Sequence, residues 1–150
     1  MSLQDDLFTK ISNNATMQGL IGTTGTASAT RFYPLVAPTS ATLPYTIYTR
    51  DDNAHGYTQR AADGLATAFF TFASYAASIV SAAAVAEGFR GILQGMTTAT
   101  WGSTAIKRVL LKSESDRWED QGEGDQLGTG GKFVVVQQWE IWYAESIPSL

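Results

Sequence analysis

The sequence of 150 residues predicts an α+β fold: a mostly antiparallel sheet of roughly four to five strands, covered on one face by a main helix and a short N-terminal helix. Three observations carry this. Several stretches alternate apolar and polar residues with period two, as half-buried strands do. One alanine-rich stretch repeats its apolar residues at three- and four-residue steps, the period of a helix face. Turn-forming residues separate these stretches, so the elements follow one another closely.

Taken in order, Leu3, Leu7, Phe8 and Ile11 fall at helical spacing, and Asp5 and Asp6 suit the positive end of a first turn. A second short turn carries Met17, Leu20 and Ile21, capped by Asn13 or Asn14 and ended by Gly22. "GTTGTASAT" follows as a loop. Arg31 to Tyr33 is extended, and Pro34 and Pro38 bracket a bend, because proline cannot donate to a strand ladder. Pro44 fits an edge or a strand's start. Beyond it Leu43, Tyr45, Ile47 and Thr49 share one face, with Thr46, Tyr48 and Arg50 on the other.

"DDNAHG" reads as a turn, and "YTQRAADGLATAFFTFAS" as a returning strand interrupted near Asp63 and Gly64, with Phe70 and Phe72 on one face and Phe69 on the other. The main helix runs between Ser74 and Leu93, with a stripe of Tyr75, Ile79, Ala82, Ala86, Phe89 and Leu93, and ends at Gly91 or Gly95. "STAIKRVLLKSESDRW", Ser103 to Trp118, follows as a strand whose faces around Ile106 to Leu111 are poorly separated. "DRWEDQGEGDQLGTGG" is an acidic, glycine-rich segment expected to be a flexible loop at about 119–131. The last strand sets Phe133, Val135, Gln137, Trp139, Ile141 and Tyr143 against Val134, Val136, Gln138, Glu140 and Trp142. The crossover through the helix leaves room for one parallel pair.

Length and a 44% hydrophobic content fit one domain, residues 1–150. Cysteine is absent, which removes disulfides and thiolate chemistry. With a net charge of -4 and ten scattered basic residues, the chain has no footprint for gripping a phosphate backbone. The opening "MSLQDDLFTKI" lacks the basic and apolar regions of a secretory signal. Alanine, serine and threonine dominate the most apolar stretch, so it reads as a strand entering a helix and not as a membrane span.

Reactive chemistry is sparse. The glycine-rich loops lack the Gly-Lys-Ser/Thr ending of a phosphate loop, so no cofactor is expected. His55 is the single histidine, which excludes a histidine metal cluster, and a serine triad would depend on that one turn residue. Asp116, Glu119, Asp120, Glu123 and Asp125 crowd the acidic segment, but their spacing misses the helix-loop-helix calcium pattern. A small metal-binding or hydrolase module using His55, Asp116, Asp120 and Asp125 is the third-ranked reading. Trp118, beside charges, is the best exposed aromatic; Trp139, Trp142 and Tyr143 read mainly as core.

The order of segments resembles the tail-completion, or tail-terminator, proteins of long-tailed bacteriophages and prophages. The likeness spans nearly the whole chain and rests on Tyr33-Pro34, Ala37-Pro38 and Leu43-Pro44-Tyr45, the alanine-rich helix, "SESDRWED" and the terminal "QQWEIWY". It implies a subunit without a catalytic centre that forms a ring, expected to be a hexamer, at the head-proximal end of the tail tube. There it would stop tube growth, join tail to head, and let DNA pass through the lumen without specific binding. Its expected partners are itself, the tail tube protein and a head-completion protein; a head-side connector or stopper of the neck is the alternative. On this reading the rigid stretch from Tyr33 and Pro34 through Pro38 to Pro44 contributes to subunit contacts. So does the hairpin from Asp51 and Asp52 through His55 and Tyr57 to Arg60. Trp118, Glu119, Asp120, Glu123 and Asp125 reach a neighbour, the tube or the lumen.

Overall fold

The computed structural model describes residues 3–22, 30–38, 41–57, 62–119 and 131–145. The chain order is α1 (Leu3–Ser12), α2 (Ala15–Ile21), β1 (Phe32–Pro34), β2 (Tyr45–Tyr57), β3 (Ala62–Ala76), α3 (Ile79–Leu93), β4 (Ala99–Trp101), β5 (Thr104–Glu119) and β6 (Lys132–Ala144). The strands form one six-stranded sheet in the order β1-β2-β3-β6-β5-β4. All pairs are antiparallel except β1 with β2.

The sheet has six strands: the extended run read at Arg31 to Tyr33 is edge strand β1, and the other edge carries β4, whose three residues are too short to show a period of two in sequence. The parallel pair is β1 with β2, joined across the proline bend, and not a pair flanking the helix. α3 instead leads from β3 to the far edge at β4, while β6 returns between β3 and β5. β4 and β5 are joined by Gly102 and Ser103; Gly102 has φ 57, which a two-residue hairpin turn favours glycine to supply.

Two boundaries move. "DDNAHG" is not a turn: β2 continues through Tyr57, with register shifts between Arg50 and Asp52 and between His55 and Tyr57. These bulges absorb the polar, turn-like residues within the strand. β3 is not broken at Asp63 and Gly64 either, although Gly64 has φ 77. Tyr75 belongs to β3, and α3 begins only at Ile79, where the Ser78 hydroxyl accepts from the Ser81 N–H at 3.1 Å. β5 runs through Asp116 and Trp118, as its strand reading has it, and takes in Glu119, the first residue assigned to the loop.

One face of the sheet meets all three helices. Leu3, Leu7 and Ile11 of α1, Met17 and Ile21 of α2, and Val85, Phe89 and Leu93 of α3 are buried against Tyr48, Phe70, Phe72, Trp139 and Ile141. Phe32 brings β1 into this core: its ring stacks on Tyr48 at 4.2 Å and lies 5.5 Å from Phe89. Thus Thr46 and Tyr48 occupy the helix side of β2, and Tyr45 faces away. Ile106 and Val109 of β5 are both buried because a register shift between Ile106 and Arg108 reverses the alternation. The blurred faces read from the sequence are that bulge.

Candidate assembly surface

The proline stretch is held by backbone bonds and one arginine. Arg31 Nε donates to the Pro44 carbonyl at 2.8 Å, Thr46 N–H donates to Arg31 O at 2.9 Å, and the Leu43-Pro44 bond is cis. Pro44 is half-buried, whereas Pro34 and Pro38 are exposed. After Pro34 the chain makes a three-residue γ-turn: Val36 N–H donates to Pro34 O at 2.7 Å, and Leu35 takes φ 66. Leu35 N–H is bound to Tyr48 O at 3.0 Å. The turn leaves two apolar side chains in water, Leu35 at 68% and Val36 at 74% exposure. Both lie between the two prolines singled out in the sequence, and that bracketing of an apolar pair was the available signal for them.

On the sheet face away from the helices, Tyr33 lies 6.2 Å from Tyr45, and Tyr45 stacks on Tyr75 at 5.2 Å. Lys132 Nζ donates to Tyr45 Oη at 3.0 Å and sits 5.5 Å and 5.9 Å from the two ring centres, a cation–π arrangement. Arg117 lies beside Tyr75 and pairs with Glu119 at 3.0 Å. Burial, then the Glu119 charge, raises the Tyr75 phenol above its ordinary value, with Arg117 partly opposing. Tyr33, by way of Tyr45, and Glu119 both neighbour Tyr75, a residue the sequence reading assigns to the helix.

At the other end of the sheet, exposed Asp51 accepts from the Thr71 hydroxyl, and Asp52 accepts from Asn53 N–H at 2.8 Å. His55 Nδ1 lies 2.7 Å from Glu145 Oε2, and its Nε2 lies 3.3 Å from Asn53 Nδ2. Both ring nitrogens therefore face groups that position the imidazole. Tyr57 pairs with Ala62 through the backbone at the end of β2. Arg60, Asp120, Glu123 and Asp125 lie outside the described residues. Among the described residues no three His, Asp or Glu side chains gather as a metal site.

Trp118 is 40% exposed and stands edge-on to Phe133 at 4.8 Å, with its ring pressed on Gly131 so closely that no Cβ fits there. Trp139 and Tyr143 are core residues, and Trp142 is half-buried on the opposite face. No helix among the described residues is long and apolar enough to cross a membrane.

No protein-family model matches the chain, and no curated protein matches it. Among solved structures, the fold is similar to that of a chain in the virion of a native gene transfer agent (GTA) particle, with a TM-score of 0.64 at 15% identity. The match covers 94% of this chain and 95% of that one, so the two share a fold from end to end.

Proposed function

We propose that this chain is a non-enzymatic structural subunit of a tailed, phage-like virion, and that it forms a ring ending the tail tube and joining tail to head. The supporting observation is the end-to-end fold similarity to a chain of a gene transfer agent virion. The tail-terminator resemblance of the sequence supplies the finer assignment. The whole chain acts as one domain, and a ring of six copies surrounds a lumen through which DNA moves without being held.

In this reading the surfaces carrying Tyr33, Pro34 and Pro38, and Asp51, Asp52 and His55, face neighbouring subunits. Trp118 and Glu119 mark where the acidic segment leaves the sheet toward a neighbour, the tail tube or the lumen. A closed ring needs two different surfaces meeting at one fixed angle, and a backbone stiffened by Pro34, Pro38 and Pro44 suits that demand.

Electron microscopy of the purified chain, alone and with tail tubes, tests this. Rings, or tube ends each bearing an annulus, are expected. A chain that stays monomeric and leaves every tube end bare would overturn the assignment.

A further inference from the structure

We propose that the γ-turn at Leu35 and Val36 is a docking knob that seats in the groove between α2 and α3 of a second copy of the chain. This deepens the ring reading and rests on it.

The knob is unfavourable in the isolated chain on two counts. A non-glycine residue at φ 66 is sterically strained, and two adjacent apolar side chains remain largely in water. Scattered single apolar residues are ordinary on a surface; an apolar pair on a strained turn is not. The turn is nevertheless held firmly, because the N–H groups of Leu35 and Val36 bind Tyr48 O and Pro34 O. A turn fixed this way loses little further freedom when it docks.

The groove offers matching chemistry. It is an open groove of about 410 Å³ whose apolar floor of Leu20, Ala84, Gly88, Gly91 and Ile92 is accompanied by polar Asn14, Thr16 and Glu87. Its two α3 glycines differ. A Cβ on Gly88 would strike Met17 Sδ at 2.7 Å and Leu20 Cδ1 at 2.8 Å, so packing within the chain explains that residue. A Cβ on Gly91 would meet nothing within 4 Å. Glycine is unfavourable inside a helix, and no neighbour among the described residues uses the space at Gly91.

Charge selects a second copy as the occupant. Arg50 borders the knob along with Asp5, is exposed, and takes part in none of the ion pairs among the described residues. Glu87 at the groove has a side chain 69% exposed and only a 3.4 Å contact to Arg90. Seating the knob brings Arg50 of one copy toward Glu87 of the next. Knob and groove are different surfaces, so the contact is head-to-tail and closes a ring when the rotation permits.

The chain contains no cysteine, which makes crosslinking clean. Val36→Cys and Gly91→Cys are prepared separately, checked for unchanged circular dichroism and melting, mixed, and oxidised in solution and on tail tubes. A disulfide-linked dimer at least tenfold more abundant in the mixture than in either variant alone is expected. Arg50→Glu is expected to reduce the ring fraction in sedimentation at least tenfold, and Arg50→Glu with Glu87→Arg to restore it. Wild-type rings with no mixed crosslink overturn the docking contact and leave the ring standing. A mixed crosslink without rings supports the contact and removes the ring. Val36→Cys labelled with a benzophenone maleimide and photocrosslinked on tubes to the tube protein instead of to a second copy shows a different occupant and overturns the proposal. Wild-type monomers with no crosslink in solution or on tubes overturn both.

Discussion

Gln137 lies directly across the β5–β6 ladder from Glu114, and its side-chain amide donates to Glu114 Oε2 at 2.8 Å and to the Ala86 carbonyl at 3.0 Å. Arg90 Nε approaches the same Glu114 oxygen at 3.6 Å, so one buried amide ties α3 to two strands. This polar residue interrupts an otherwise apolar core face, and the contacts explain why it is tolerated.

Replacing Gln137 with leucine keeps most of the volume and removes both donated bonds. A loss of roughly 1–2 kcal/mol is expected from urea denaturation. A double-mutant cycle with Glu114→Ala should show coupling above about 0.5 kcal/mol. Additive effects would mean that the two side chains do not act together.

The α3 glycines should respond in opposite directions. Gly91→Ala adds a methyl in open space and raises helix propensity, for a gain of up to about 1 kcal/mol. Gly88→Ala drives a methyl into buried Met17, and overpacking of about 1–3 kcal/mol outweighs the same propensity gain. Equal melting shifts for the two variants would refute the packing described for α2 on α3.

Leu35→Gly relieves the positive φ at a position whose side chain is mostly in water, against some added freedom in the unfolded chain. A net gain of up to about 1 kcal/mol in monomer stability is expected by thermal melting. A clear loss would show that Leu35 packs within its own subunit.

Alkaline pH should weaken the fold through two tyrosines. Burial, then the Asp5 charge, raises the Tyr48 phenol above 10.0, and burial, then Glu119, does so for Tyr75. Their contribution is complete below pH 10. As pH rises past that value the unfolded chain releases protons that the folded chain retains, so stability falls. Melting temperature followed upward from about pH 9 should drop less steeply in Tyr48→Phe, Tyr75→Phe than in the parent. Parallel curves would argue against buried phenols at these sites.

The central elements were legible because their burial is periodic: the apolar stripe of α3 from Ala82 to Leu93 and the alternation of β6 from Val135 to Tyr143 both face the core. Phe70 and Phe72 share the core face as read. What escaped notice had a physical cause. The strand at Ala99–Trp101 forms through pairing with its longer neighbour and not through any pattern of its own, whereas the extended run at Arg31 to Tyr33 is read and becomes β1. Asp51 to His55 have turn-like composition, yet pairing with β3 overrides local preference, and bulges take up the misfit. At the candidate surface, exposed Trp118 and the stiff bend were visible in sequence. The Tyr45–Tyr75–Lys132 cluster was not, because it assembles residues from three strands.

The short outer strands leave the outer edge of β2 beyond Tyr48 and of β5 beyond Val109 without a ladder partner among the described residues, while the inner edges pair with β3 and β6. Those rims carry Arg50, Asp51, Asp52 and His55 on one side and Lys112, Glu114, Asp116 and Arg117 on the other, and bulges distort both. Such rims resist rim-to-rim zippering into amyloid-like fibrils. Copies that meet along these rims therefore find charge and irregular backbone where a flat edge would offer a template for further strands.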